Sequence, residues 1–113
     1  MARVEHFEIP ADDLARAKSF YSGVFGFEFE DWDATITMIG AVEGGIGGDI
    51  HLRSVVPHPT IVITVPDLDE TLAAVIAGGG EQLGEVQIID EGSRYAYFKD
   101  TEGNIIGVYD SRR

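Results

Sequence analysis

The chain has no cysteine. That excludes a disulfide framework, a thiolate nucleophile and a cysteine metal site. Basic residues are scarce: eight Lys and Arg stand against 20 Asp and Glu, for a net charge of −12. Nucleic acid and anionic membrane are therefore not expected partners, because both need basic patches. No apolar run approaches the ~18 residues of a membrane span. Met1-Ala2-Arg3-Val4-Glu5-His6 lacks the apolar stretch of a secretion signal, so the expected location is cytoplasmic. Gly44-Gly45-Ile46-Gly47-Gly48 does not match a dinucleotide fingerprint and opens no helix. No nucleophile elbow or phosphate loop is present either.

What is there is a repeat. Asp13-Leu14 and Asp67-Leu68 stand 54 residues apart, each between a strand pattern and a helical pattern. The same shift places Gly26 on Gly80. Duplication in a chain of 113 residues implies one domain built of two modules, residues 1–56 and 59–113. With 44% hydrophobic and 10% aromatic residues, the chain can bury a core.

Strands are expected over 4–9, 27–32, 35–39 and 46–53 in the first half. In the second half they are expected over 60–65, within 81–89, and over 94–99 and 104–109. Val55-Val56-Pro57-His58-Pro59 is the linker, since two close prolines break regular structure. Asp12 or Asp13 caps the first helix, and Asp67 or Asp69 the second. Leu14, Ala17, Phe20, Tyr21 and Val24 make an apolar stripe at helical spacing. Strand alternation puts Phe7 and Ile9 on one face and His6 and Glu8 on the other. In the second half it separates Ile61, Ile63 and Val65 from Thr60, Val62 and Thr64. The scheme is α+β, with βαβββ occurring twice.

The string from His6 to Tyr21, ending in Val24-Phe25-Gly26-Phe27, resembles the opening module of the glyoxalase/bleomycin-resistance/extradiol-dioxygenase superfamily, the vicinal oxygen chelate fold. The run Tyr97-Phe98-Lys99-Asp100-Thr101-Glu102-Gly103-Asn104-Ile105-Ile106-Gly107 resembles its last hairpin. Gly44 to Asp49 resembles a subgroup described as related to lactoylglutathione lyase. The resemblance implies paired modules, each sheet curled around a cleft, and commonly a homodimer. It also implies a divalent metal held from the first and last strand of each module. His6 matches the first of those positions. Thr60 and Gly107, at two others, are not ligands. The fourth lies in Gly47-Gly48-Asp49, where a one-residue slip exchanges Gly48 for Asp49.

Metal ligands expected on this pattern are His6 and Asp49, two short of the family set. His6 and Glu8 are the expected catalytic pair, a histidine with a carboxylate to orient it. Asp49, Thr60, Thr64, Tyr97 and Tyr109 are the expected ligand-binding residues. Asp49 and His51 share a strand face, so His6, Glu8, Asp49 and His51 form an alternative, relocated two-histidine site. Arg53 and Arg94 read either as anchors for an anionic substrate or as solvated strand ends. Trp32 reads as a stacking or interface residue, and His58 as solvent-exposed.

Two functional readings follow, besides that of a relic fold kept for protein association. One is a glyoxalase-like small-molecule enzyme, a lyase or isomerase that removes a proton next to a carbonyl. The other, implied by bleomycin-resistance members, is metal-free sequestration of a cationic drug. The acidic surplus fits such a ligand, and it equally fits a solubilising surface.

Overall fold

A computed structural model describes residues 1–111. The architecture is α+β, with two βαβββ modules. In chain order the elements are β1 (Arg3–Ala11), α1 (Leu14–Phe25), β2 (Phe29–Asp33), β3 (Ile36–Ile39), β4 (Gly47–Leu52), β5 (Thr60–Thr64), α2 (Leu68–Ala77), β6 (Glu81–Asp90), β7 (Ser93–Lys99) and β8 (Ile105–Ser111). By internal packing the chain divides into His6–Thr60 and a second unit, Met1–Glu5 with the residues from Ile61 onward. Neither helix is long and apolar enough to cross a membrane.

Both helices start the same way. Asp13 and Asp67 are extended, with φ/ψ of −143°/107° and −144°/111°. Each accepts a 3.0 Å bond from a first-turn backbone N–H, of Arg16 and Glu70 respectively. This satisfies a donor that the helix itself leaves orphaned. α1 runs on through Gly23 and stops at Gly26, whose φ of 73° is left-handed.

In the His6–Thr60 unit the strands lie in the order β2-β3-β4-β1. β1 and β4 are parallel, with His6 opposite Gly47, Glu8 opposite Asp49 and Pro10 opposite His51. β3 runs antiparallel to both β2 and β4. One sheet face packs on α1, around buried Ala11, Ile39 and Ile50, with Phe7, Ile9, Leu14, Ala17 and Tyr21 against them. Gly48 is on this face. A Cβ there would lie 2.7 Å from the Phe7 ring and 2.6 Å from its carbonyl oxygen.

The helical stripe is narrower than the sequence suggests. Leu14, Ala17 and Tyr21 pack inward, while Phe20 and Val24 are exposed. One helix on a small sheet contacts it along a single ridge, so positions at the edge of a wide stripe remain outside. Tyr21 instead stacks on Phe25 and Phe27 at centroid distances of 6.0 Å.

The second unit orders its strands β5-β8-β7-β6. β5 and β8 are parallel, with Val62 opposite Gly107 and Thr64 opposite Tyr109. The core is Val65, Leu68, Leu72, Ala96 and Val108, with Ile63, Val86 and Phe98 packed on it. Ile61, expected under the helix, is 38% exposed. The segment expected to hold a strand and a loop is one strand, β6, interrupted by an irregularity between Leu83 and Gln87.

Candidate functional site

Alternation along β1 and β4 sends His6, Glu8, Asp49 and His51 to the face opposite α1. The register settles the one-residue slip. Gly48 lies under Phe7, so Asp49 falls beside Glu8 and joins His6.

Asp49 is the hub. His6 Nε2 lies 2.7 Å from its Oδ2 and His51 Nδ1 lies 2.9 Å from its Oδ1. A carboxylate only accepts, so each ring nitrogen carries the proton and donates it. Each carboxylate oxygen thus has its own imidazole. Glu8 also bonds Asp49, as a carboxyl whose O–H donates, and its Oε2 is 3.9 Å from His51 Nδ1. Asp49 is 2% exposed and Glu8 8%. His6 is the most open of the four, with a side chain 27% exposed.

Burial alone pushes the Asp49 carboxyl up. The hydrogen bonds of His51, His6 and Glu8 outweigh it and hold the group below the ordinary carboxylate range. The same Asp49 bond holds His51 above the ordinary imidazole value, against the opposing effect of burial.

One donor atom each from His6, Glu8 and Asp49 lies within 4.8 Å of the others. This imidazole-and-two-carboxylate set is compatible in chemistry with a divalent cation, and three protein donors are the usual number at a catalytic site. His51 is not among the three, and its Nδ1 is directed at Asp49. The relocated two-histidine arrangement is therefore one histidine and two carboxylates, with the second histidine bonded to one of them. Met38 stands opposite Asp49 and Ile36 opposite His51 on β3. The sequence reading passed over both, although alternation along β3 points to them.

The second module has no such cluster among its described residues. At the position that Asp49 holds in the first module stands Gly107, where a Cβ would lie 3.0 Å from Val62 Cγ2 and 3.3 Å from Tyr97 Cε1. Tyr97 is opposite Gly107 and Tyr95 opposite Tyr109. The Tyr109 hydroxyl is 3.1 Å from Ser93 Oγ. Thr60 is buried at 9% exposure, and Thr64 is partly buried.

Arg94 is not a solvated strand end, whereas Arg53 is exposed just beyond β4. Arg94 binds Asp110 through two nitrogens, at 3.2 and 2.8 Å, and Asp69 at 3.1 Å. Arg53 holds Asp12 at 2.9 Å and the Pro57 carbonyl. Trp32 is 66% exposed, and His58 is exposed.

A family model described as the Glyoxalase/Bleomycin resistance protein/Dioxygenase superfamily matches residues 3–108. A glyoxylase-like domain-containing protein of Didymella fabae is 34% identical over 115 residues, covering 90% of this chain and 88% of that one. The fold is shared with solved structures. A glyoxalase/bleomycin resistance protein/dioxygenase superfamily member from Vibrio splendidus 12B01 aligns with a TM-score of 0.73 at 14% identity, over 98% of this chain and 100% of that one. Methylmalonyl-CoA epimerase from Mycobacterium tuberculosis aligns with a TM-score of 0.67 at 22% identity, over 97% and 88%. With a family model spanning nearly its whole length and a relative of this identity, the chain belongs to the glyoxalase/bleomycin resistance protein/dioxygenase superfamily.

Proposed function

We propose that the protein is a small-molecule enzyme of the lyase or isomerase type, with its chemistry in the first module. The observation that carries this reading is the convergence of His6, Glu8 and Asp49 within 4.8 Å. These residues would hold a divalent cation. When bound, such an ion supplies a Lewis acid that polarises a carbonyl and steadies the enolate oxygen.

The proton is the task of the chain's own groups. Asp49 accepts from two imidazoles and is held below the ordinary carboxylate range, which makes it a weak base. Glu8, opposite it on β1, donates to Asp49 in the metal-free pair and is assigned as the base once a bound cation has displaced that proton. His6 holds Asp49 Oδ2, and it is the donor most open to an incoming ligand. The fold is shared with methylmalonyl-CoA epimerases. Epimerisation next to a thioester carbonyl removes a proton from one face and returns one to the other, and Glu8 would serve one of those faces.

The test is metal content by mass spectrometry after dialysis against trace divalent ions, followed by loss of C–H signals in D2O. The substrate panel is hemithioacetals and 2-branched thioesters. Stoichiometric metal that disappears in His6→Ala, with exchange that disappears in Glu8→Gln, is expected. Metal-free protein without exchange on any compound would overturn the reading.

Sequestration of a cationic drug has one observation in its favour. Exposed Trp32 lies in the acidic run Glu28 to Asp33 of a chain with net charge −12. A thermal-shift screen of cationic compounds tests it, since a ligand of the folded state raises the melting temperature. No response to any of them would remove it.

A further inference from the structure

We infer that His51 is a positioning residue, whose Nδ1–H aims the Asp49 carboxylate at His6 and the cation. The inference rests on the metal reading above. It adds a residue that the family pattern of ligand positions does not include.

Three observations lead to it. First, the Asp49 oxygens are divided between two imidazoles: Oδ1 to His51 at 2.9 Å and Oδ2 to His6 at 2.7 Å. An aspartate side chain turns about two bonds, and one hydrogen bond leaves the second rotation loose. Two bonds on opposite oxygens fix the plane. Second, Asp49 is 2% exposed, so water is a poor substitute for a lost partner. Third, His51 Nδ1 also lies 3.9 Å from Glu8 Oε2. One N–H therefore faces both carboxyl groups. His51 is itself kept in place by β4, two residues beyond Asp49, with Pro10 opposite on β1 and Ile36 opposite on β3.

The usual outer partner of a metal site is a carboxylate that orients a ligating histidine. Here the order is reversed, with a histidine orienting a ligating carboxylate. The physical effect is the same: the ligand spends less entropy on binding, and its Oδ2 is presented in one direction. Loss of such a partner typically costs about 10–100-fold in metal affinity.

The nitrogen used makes the inference specific. Asn presents its side-chain NH2 near the place of the histidine Nδ1, whereas Gln presents its NH2 near the place of Nε2. Three variants separate these cases: His51→Asn, His51→Gln and His51→Ala, each checked for native circular dichroism. Zn2+ and Mn2+ affinities are measured by calorimetry. The His6 ring N–H resonance is followed by proton NMR in metal-free protein, and it reports whether Asp49 still accepts from His6.

His51→Asn is expected to bind metal within a few-fold of the parent and to keep the His6 N–H signal. His51→Gln and His51→Ala are expected to bind about 10–100-fold more weakly and to lose it. Should His51→Ala fail to fold, the Asn and Gln pair carries the comparison. Persistence of the His6 signal in His51→Gln and His51→Ala would overturn the positioning role, whether or not metal binds. A loss in His51→Asn as large as in His51→Ala would also overturn it. A parent protein that binds neither ion but shows the expected NMR pattern would overturn the metal reading alone.

Discussion

Asp49 and Gly107 occupy the same place in their two modules. Each lies directly across a parallel pair from the third residue of the opposing motif, Glu8 for Asp49 and Val62 for Gly107. One position carries the hub of a charged cluster, while at the other a Cβ would press on Val62 and Tyr97. The duplicated framework therefore carries a charged cluster in one module and close packing in the other.

Restoring symmetry is expected to fail. A Cβ at Gly107 would press on Val62 and Tyr97, at 3.0 and 3.3 Å. Overpacking of this kind costs about 1–3 kcal/mol. Gly107→Asp should lower the urea midpoint and add no second equivalent of bound Zn2+. A stable variant that binds a second ion would contradict the packing argument.

The second module depends on a buried carboxylate of its own. Asp110 is 0% exposed, and it accepts from the Leu68 backbone N–H at 2.8 Å and from Arg94. It thus ties the start of α2 to β7 and β8. Asp110→Ala takes the acceptor from the Leu68 N–H and from two Arg94 nitrogens, while Arg94 keeps Asp69, and should cost about 3 kcal/mol. Asp110→Asn keeps an acceptor for Leu68 and should cost less. Equal denaturant midpoints for the parent and Asp110→Ala would show that the network is not stabilising.

Asp49 and His51 give stability opposite dependences on pH. The folded-state Asp49 carboxyl lies below 3.8. Its contribution is therefore present above 3.8 and is lost as the pH falls through the lowered value. His51 lies above 6.5. Its contribution is complete below 6.5 and is lost as the pH rises through the raised value. Thermal unfolding of metal-free protein should show this pair contributing most between 3.8 and 6.5. Asp49→Asn should flatten both limbs, and a pH profile identical to the parent's would rule out the coupling.

The two helix caps offer a paired measurement. Asp13 and Asp67 make the same bond in nearly the same backbone conformation. Alanine at either should cost about 1 kcal/mol, and serine should recover most of it. The sites share no partner, so the double variant should show additive losses in urea titrations. Strong non-additivity would mean that the caps are not local devices.

Much of this was legible in the chain itself. Asp13 and Asp67 announce the helix starts because a short acidic side chain before a helical pattern has one favourable use. Alternation along β1 assigns His6 and Glu8 to one face, because a strand has a period of two. The missing ligands at Thr60 and Gly107 also follow from sequence, since neither residue type supplies a donor there. Less legible was α1, where Phe20 and Val24 match the helical period yet remain exposed. Periodicity describes a stripe, and the neighbour decides how much of it is covered.

The sequence by itself determined the framework: two βαβββ modules, their caps and a histidine–carboxylate face on the first strand. Local rules suffice for these, because propensity, capping and alternation act over a few residues. Only the tertiary structure decided that Asp49, instead of Gly48, joins that face, and that His51 binds Asp49 while Glu8 stands opposite. Those facts depend on pairing between β1 and β4, strands some 40 residues apart in the chain. In that pairing the Phe7 ring lies over Gly48, a contact that no local pattern records.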